Sequence, residues 1–233
     1  MERLIIRQFL YPSFITPPPT LSFEDQFAFC PTDLTTAALI YILHTVTQLL
    51  TTHNYVTVIA LDFSKAFNTV RHATRLNKMA DLNMPNEVYN WLVAYFMGHL
   101  HSTKYDEVTS AVWEISAGII QGSANFVINS GDLKAITPGN CMCKYADDTY
   151  LIIPSTNEGS RTAELANVEL WSQKNNLVLN RSKSLEIIFT DRGEGVAYSS
   201  RQQYPISTEC YLLRFLELSY PATYPSVVMS TTS

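Results

Sequence analysis

Two adjacent carboxylates, Asp147 and Asp148, follow Tyr145-Ala146 and precede the β-favouring run Thr149-Tyr150-Leu151-Ile152-Ile153. Successive side chains on a strand point to opposite faces, so consecutive acids can meet one ion only where the chain turns. The pattern predicts a tight hairpin with both acids at its tip, led in by Lys144. Acids withdrawn from water need a cation. Hard oxygen ligands at this density suit Mg²⁺, which keeps several waters and completes its shell with phosphate oxygens. An exposed turn is the plainer alternative, since acids are common in turns.

A second acid lies in a related setting. Tyr55-Val56-Thr57-Val58-Ile59-Ala60-Leu61 is a continuous apolar and β-branched run, the pattern of a strand covered on both faces. It ends in Asp62-Phe63-Ser64-Lys65-Ala66-Phe67, which puts Asp62 at the carboxyl end of a buried strand. A carboxylate there is either solvated in a cleft or bound to a cation, because an unpaired buried charge is too costly. Asp62, Asp147 and Asp148 together supply the minimum acid set for a two-metal phosphoryl-transfer centre. In such a centre one ion activates the attacking oxygen and the other steadies the leaving one.

These motifs, with Gln121-Gly122-Ser123 between them and Leu177-Val178-Leu179-Asn180-Arg181-Ser182-Lys183 after them, occur in a recognisable order. The chain resembles the reverse transcriptase domain of non-LTR (long interspersed element) retrotransposons, in a partial and degenerate form. The likeness runs from about Asp25-Gln26-Phe27-Ala28-Phe29 to Ile188-Phe189-Thr190-Asp191. By this resemblance Asp62, Asp147 and Asp148 fall on the metal-binding acids, which hold two Mg²⁺ ions, with Mn²⁺ as a substitute, against a primer 3′-hydroxyl and an incoming deoxynucleoside triphosphate. Phe63 and Phe67 fall in the nucleotide pocket, Phe67 on the position of a steric gate against a ribose 2′-hydroxyl. On residue type alone, Phe67 reads as core. Gln121-Gly122-Ser123 matches the loop under the nascent base pair, where a residue without Cβ lets backbone approach a ligand. Lys183 matches a lysine that reaches the triphosphate and protonates the leaving pyrophosphate; by composition it is a solvated surface lysine. The implied partners are an RNA template, a DNA primer and deoxynucleoside triphosphates.

Charge runs against strong nucleic-acid binding. The formal net charge is −5, whereas affinity for phosphate backbones comes mostly from Lys and Arg. No basic stripe is visible, so intrinsic affinity for template and primer is expected to be low. Of the 4 cysteines, Cys141-Met142-Cys143 has the wrong spacing for zinc, and Cys30 and Cys210 are isolated. Free thiols with no secretory signal suggest an intracellular protein. The longest apolar stretch, Ala37 to Leu43, is far short of a membrane span.

The order of elements predicts an α+β fold: a right-hand polymerase palm in which an antiparallel sheet carries the acids and helices pack on one face, with partial fingers and no thumb. Helices are expected from about Leu34 to Leu50, Val70 to Leu82, Pro85 to Phe96 and Ser160 to Asn176, with strands near Val112 to Ile120 and Leu185 to Phe189. The division expected is residues 1–24 as an extended segment containing Pro17-Pro18-Pro19, residues 25–191 as the fingers and palm, and residues 192–233 as an unrelated, poorly ordered tail. Three departures from the family pattern stand out. Ala124-Asn125-Phe126 follows the Gln-Gly-Ser triplet without the usual proline and with a shortened helix. Cys30 and Asp33 replace a cationic finger segment. Asn68 stands where aspartate is common. The reading is therefore an RNA-directed DNA polymerase domain, or alternatively a non-catalytic retroelement remnant that keeps the palm. Another two-metal phosphodiester enzyme, such as a nuclease, fits less well because it needs no base-pair floor.

Overall fold

The computed structural model describes residues 2–28, 35–98, 100–118, 125–191 and 196–200. The chain opens with helical turns Glu2–Ile5 (α1) and Tyr11–Ile15 (α2), joined by a π-helical segment, Ile6–Leu10. The expected extended segment is thus helical up to Ile15. Leu10 and Phe14 give it an apolar face that packs beside Phe23, and Pro12 follows directly on the π-helical segment within one continuous helical run.

Thr35–Leu50 (α3) is followed by Tyr55–Leu61 (β1), Phe63–Ser64 (β2), Ala66–Thr69 (α4) and His72–Ala80 (α5). Next come Asn86–Phe96 (α6) and a hairpin of four short strands: Leu100–His101 (β3), Lys104–Tyr105 (β4), Val108–Thr109 (β5) and Trp113–Glu114 (β6). Of the longer strand expected from residue 112, the described residues keep β6, which pairs within the hairpin, and an isolated antiparallel bridge from Ala117 to Arg71. Asn125–Ser130 (α7), Cys141–Tyr145 (β7) and Asp148–Pro154 (β8) lead to a 3₁₀ turn, Ser155–Ser160, and to Arg161–Lys174 (α8). Val178–Leu179 (β9), Leu185–Asp191 (β10) and Val196–Ser200 (β11) complete the described elements. The sheet therefore continues past residue 191, into what the sequence assigns to the tail.

The main sheet has the order β11-β10-β1-β8-β7, and every pairing is antiparallel. Its central strand, β1, is apolar at nearly every position, so neither face can be left to water. Val56, Val58, Tyr150, Ile152, Ile187 and Phe189 pack on one side with Ala38, Ile42 and Val46 of α3. Ile59, Leu61, Leu151 and Ile153 pack on the other with Val168 and Trp171 of α8 and Phe126 of α7. The α+β palm is present, with helical cover on both faces where the sequence reading placed it on one. A smaller core joins the N-terminal helices to α5, α6 and α7 through Leu10, Leu76, Met79, Leu92, Phe96 and Val127. Among the described residues no helix is long and apolar enough to cross a membrane.

Two cations one helical turn apart on α5 meet opposite fates. Lys78 Nζ donates to the Asn129 carbonyl (2.5 Å), Asp132 Oδ1 (2.7 Å) and Asn175 Oδ1 (2.7 Å), which ties α5 to the ends of α7 and α8. Arg75 is 0% exposed, and among the described residues its three guanidinium nitrogens have no hydrogen-bond partner. Its guanidinium carbon lies 3.5 Å from the centroid of the Phe96 ring, and burial pulls its pKa down to about 10. A stack on one ring returns only part of the cost of burying a guanidinium. Arg75→Met, similar in volume and apolar, is expected to stabilise the protein by about 1–4 kcal/mol. Urea unfolding of the two proteins checks this; a lower midpoint for Arg75→Met would show that the cation has a partner of greater worth.

Candidate active site

The hairpin forms where the sequence places it. Tyr145 pairs with Asp148, so Ala146 and Asp147 make the turn and Asp148 is already the first residue of β8. On the other side of β8, Leu61 pairs with Thr149. The residue after Leu61 is Asp62, which comes alongside Asp148 on the same face by the alternation of strand side chains. All three acids are half-buried. Burial, then the charges of Asp147 and Asp62, pushes the Asp148 carboxyl up to about 6. Asp147 is raised by burial and by Asp62, against a lowering by a backbone hydrogen bond. The three acids thus feel one another's charge at one end of the sheet. Among the described residues, no three acid, histidine or cysteine side chains already close to the spacing that holds one ion. The donor chemistry, three hard carboxylates of which Asp147 and Asp148 are raised chiefly by burial, fits Mg²⁺ or Mn²⁺.

The hairpin is braced from behind. Lys144 is 0% exposed; its Nζ donates to the carbonyls of Ser130 (2.9 Å) and Leu133 (2.8 Å) and pairs with Asp25 Oδ1 at 3.0 Å. The backbone of the same residue is gripped as well: Lys144 N donates to the Asp25 carbonyl (2.7 Å) and Phe27 N to the Lys144 carbonyl (2.8 Å). Gln26 Oε1 accepts from Ala146 N at 3.3 Å and from Ala28 N at 3.0 Å, and its amide donates to Ser130 Oγ at 3.2 Å. Ala146 is left-handed, with φ 57°, a conformation that costs a residue with a Cβ about 1–2 kcal/mol. The brace from Gln26 holds that strained turn.

Asp62 is fastened by its backbone to the last motif. Asn180 N donates to the Asp62 carbonyl (2.8 Å) and Asp62 N donates to Ser184 Oγ (3.4 Å), while β2 pairs with β9. Lys183 stands exposed on this turn, one residue from the hydroxyl that holds Asp62. Phe63 is buried, its ring 5.7 Å from that of Trp171, so its side chain packs in the core. Phe67 is half-buried with its ring 4.9 Å from Phe126, at the edge of the same core. Gln121, Gly122 and Ser123, like Cys30, Asp33 and Cys210, lie outside the described residues. Cys141 and Cys143 are free thiols, and burial lifts Cys143 to about 12, which leaves it inert.

Sequence reasoning missed Asp25, Gln26, Lys144, Asn180 and Ser184 as the parts that position the acids. For Lys144 a signal existed: a lysine inside Cys141-Met142-Cys143-Lys144-Tyr145, a strand of otherwise buried pattern, needs a buried partner. Nothing in the sequence says that the partner is Asp25.

An antiparallel sheet packed between helices thus carries three acids at one end. A family profile described as reverse transcriptase (RNA-dependent DNA polymerase) matches residues 4–206, and the chain belongs to that family. The match begins and ends beyond the limits read from the motifs. No curated protein matches the chain. Among solved structures, telomerase from Candida tropicalis in complex with a TWJ fragment of telomeric RNA superposes with a TM-score of 0.61 at 12% identity, over 84% of this chain and 34% of that one. The apo Candida tropicalis enzyme truncated from its C-terminal domain gives 0.54 at 11%, over 80% and 42%. Telomerase from Candida albicans with the same kind of RNA fragment gives 0.55 at 8%, over 88% and 37%. At these identities the likeness is one of fold, and the present chain spans well under half of each of those proteins.

Two outcomes follow from the strained, charged hairpin. Ala146→Gly removes the left-handed penalty and is expected to stabilise by about 0.5–1 kcal/mol after the added chain entropy of glycine, measured by thermal unfolding; destabilisation would mean that the Ala146 methyl packs better than its backbone is strained. Asp148 binds its proton more tightly folded than unfolded, so its contribution to stability is present in full below about pH 4 and is lost as pH rises through about 6. In chelator, Asp148→Asn should therefore be more stable than the parent at pH 8, on the order of 2–3 kcal/mol, with the gap closing toward pH 4. A gap that does not change with pH would refute the raised carboxyl.

Proposed function

We propose that this chain is the catalytic palm of an RNA-directed DNA polymerase from a retroelement of the non-LTR type. Asp62, Asp147 and Asp148 would hold Mg²⁺, whose chemistry is to lower the pKa of the primer hydroxyl and to neutralise charge on the triphosphate. The observation that carries the reading is the electrostatic coupling of these three acids at one end of the sheet. The chain's own residues then have separable tasks. The Gln26 and Lys144 braces hold the hairpin, Asn180 and Ser184 hold Asp62, and Lys183 on that same turn donates a proton to the leaving pyrophosphate. Phe67 discriminates the ribose 2′ position, and Gln121-Gly122-Ser123 supports the new base pair.

A second reading is favoured by Arg75. An unpaired cation sealed in the core is tolerated where selection on the fold has relaxed, as in a non-catalytic remnant that keeps the palm. The net charge of −5 points the same way.

Titration with Mg²⁺ or Mn²⁺ separates the readings when combined with primer extension on an RNA template. If the acids bind metal, thermal stability should rise with metal concentration by mass action, and Asp147→Ala with Asp148→Ala should abolish the rise. Extension that requires the same acids establishes the polymerase. A metal-dependent rise without extension, even when the template and primer are supplied in excess, establishes the remnant. No metal response at all would remove the metal centre from both.

A further inference from the structure

Residues 100–114 form a two-stranded arm in which every residue is exposed. Leu100 pairs with Glu114, His101 with Trp113, Lys104 with Thr109 and Tyr105 with Val108. Among the described residues these strands pair only with each other. The turn is Asp106-Glu107, with Asp106 left-handed at φ 53°. Directly opposed residues share a face, so Trp113, Tyr105 and Val108 line one side of the arm, 72%, 85% and 73% exposed. Leu100 and Val112 are 64% and 61% exposed. An apolar ridge of this kind on a soluble surface marks an interaction site.

The same region carries a matching hollow. An apolar cavity of about 120 Å³ lies between Ile5, Ile6 and Leu10 of the N-terminal helices and Trp91, Tyr95 and Phe96 of α6. Cavities of about 150 Å³ take up benzene, so this one suits an aromatic ring. Leu4 and Met97, its neighbours in sequence, are 57% and 66% exposed, and Arg7 is exposed beside them. The arm begins at Leu100, shortly after α6 ends at Phe96.

We propose that the occupant of this surface is a second copy of the same chain, with the arm of each copy seating an aromatic side chain in the cavity of the other. A two-fold contact requires a surface that is complementary to itself, and an aromatic ridge beside a ring-sized hollow meets that requirement. The charges agree: the acidic tip, Asp106-Glu107, finds a cation in the partner copy's Arg7. The area agrees also. The three side chains of that face, Trp113, Tyr105 and Val108, offer roughly 400 Å² per copy, and the cavity rim supplies the remainder of the ~800 Å² per partner of a stable interface. Stacking on nucleic-acid bases would use the same aromatics, but Asp106, Glu107 and Glu114 outnumber Lys104 on the arm and repel phosphates. This inference does not depend on the polymerase reading.

Sedimentation of the full chain from about 1 to about 100 µM tests it, a range that brackets micromolar association. A reversible dimer is expected. Tyr105→Ser with Trp113→Ser should weaken it at least tenfold without moving the unfolding midpoint of the monomer, since both side chains stand in solvent. Arg7→Glu should weaken it likewise, and pairing Arg7→Glu with Asp106→Arg and Glu107→Arg should restore it. A monomer at all concentrations would overturn the proposal, as would a dimer indifferent to these variants. Binding of a single-stranded oligonucleotide that the Tyr105/Trp113 variant loses, with no dimer in the parent, would assign the arm to nucleic acid instead.

Discussion

The ammonium of Lys144 is the point on which the rest of this fold turns. It sits with no exposure to water and is satisfied by one carboxylate and two carbonyls from different parts of the chain: Asp25, Ser130 and Leu133. Leaving either charge of such a pair without the other would cost about 3–5 kcal/mol, a large part of the stability of any single domain. The three partners therefore have to be in place together. Because Lys144 is three residues ahead of Asp147 on the same hairpin, its anchoring also fixes the height of the acids above the sheet.

The acids are supported in depth while their own side chains remain under tension. Behind them lie Gln26, the Lys144 pair and the fully buried strands β1 and β8; beside them, the turn at Asn180 and Ser184 grips Asp62 through its backbone. At the tip, the left-handed Ala146 and the raised carboxyl of Asp148 both store free energy. Strain and like charge are thus gathered at one end of the sheet. Arg75 stores free energy too, but in the small core between α5 and α6, away from the acids, where no chemistry uses it.

The sequence carried the sheet and the acid triad because these rest on local rules. An unbroken apolar run such as Tyr55 to Leu61 must be a strand covered on both faces, and two consecutive acids before a β-branched run must lie at a turn. Asn86–Phe96 began just after Pro85 for an equally local reason, the fixed φ of proline. The same logic does not reach residues 2–15: the proline triplet that follows governs only its own extended stretch, while the apolar faces of Leu10 and Phe14 settle the segment as helix. At Phe63, whose aromatic type suits a ligand and a core equally, only the tertiary structure shows the ring buried beside Trp171.

By itself the sequence determined the polymerase palm, the order of its motifs and the identity of the acids that face one another, since alternation, turn chemistry and residue type act over a few neighbouring positions. Tertiary structure alone decided which distant groups hold those acids: that Lys144 is buried against Asp25, that Gln26 reaches Ala146 and that Ser184 meets Asp62; it also decided that Arg75 stacks on Phe96. Such pairings depend on where the backbone carries each group in space, and no local pattern encodes the distance between residues so far apart in the chain.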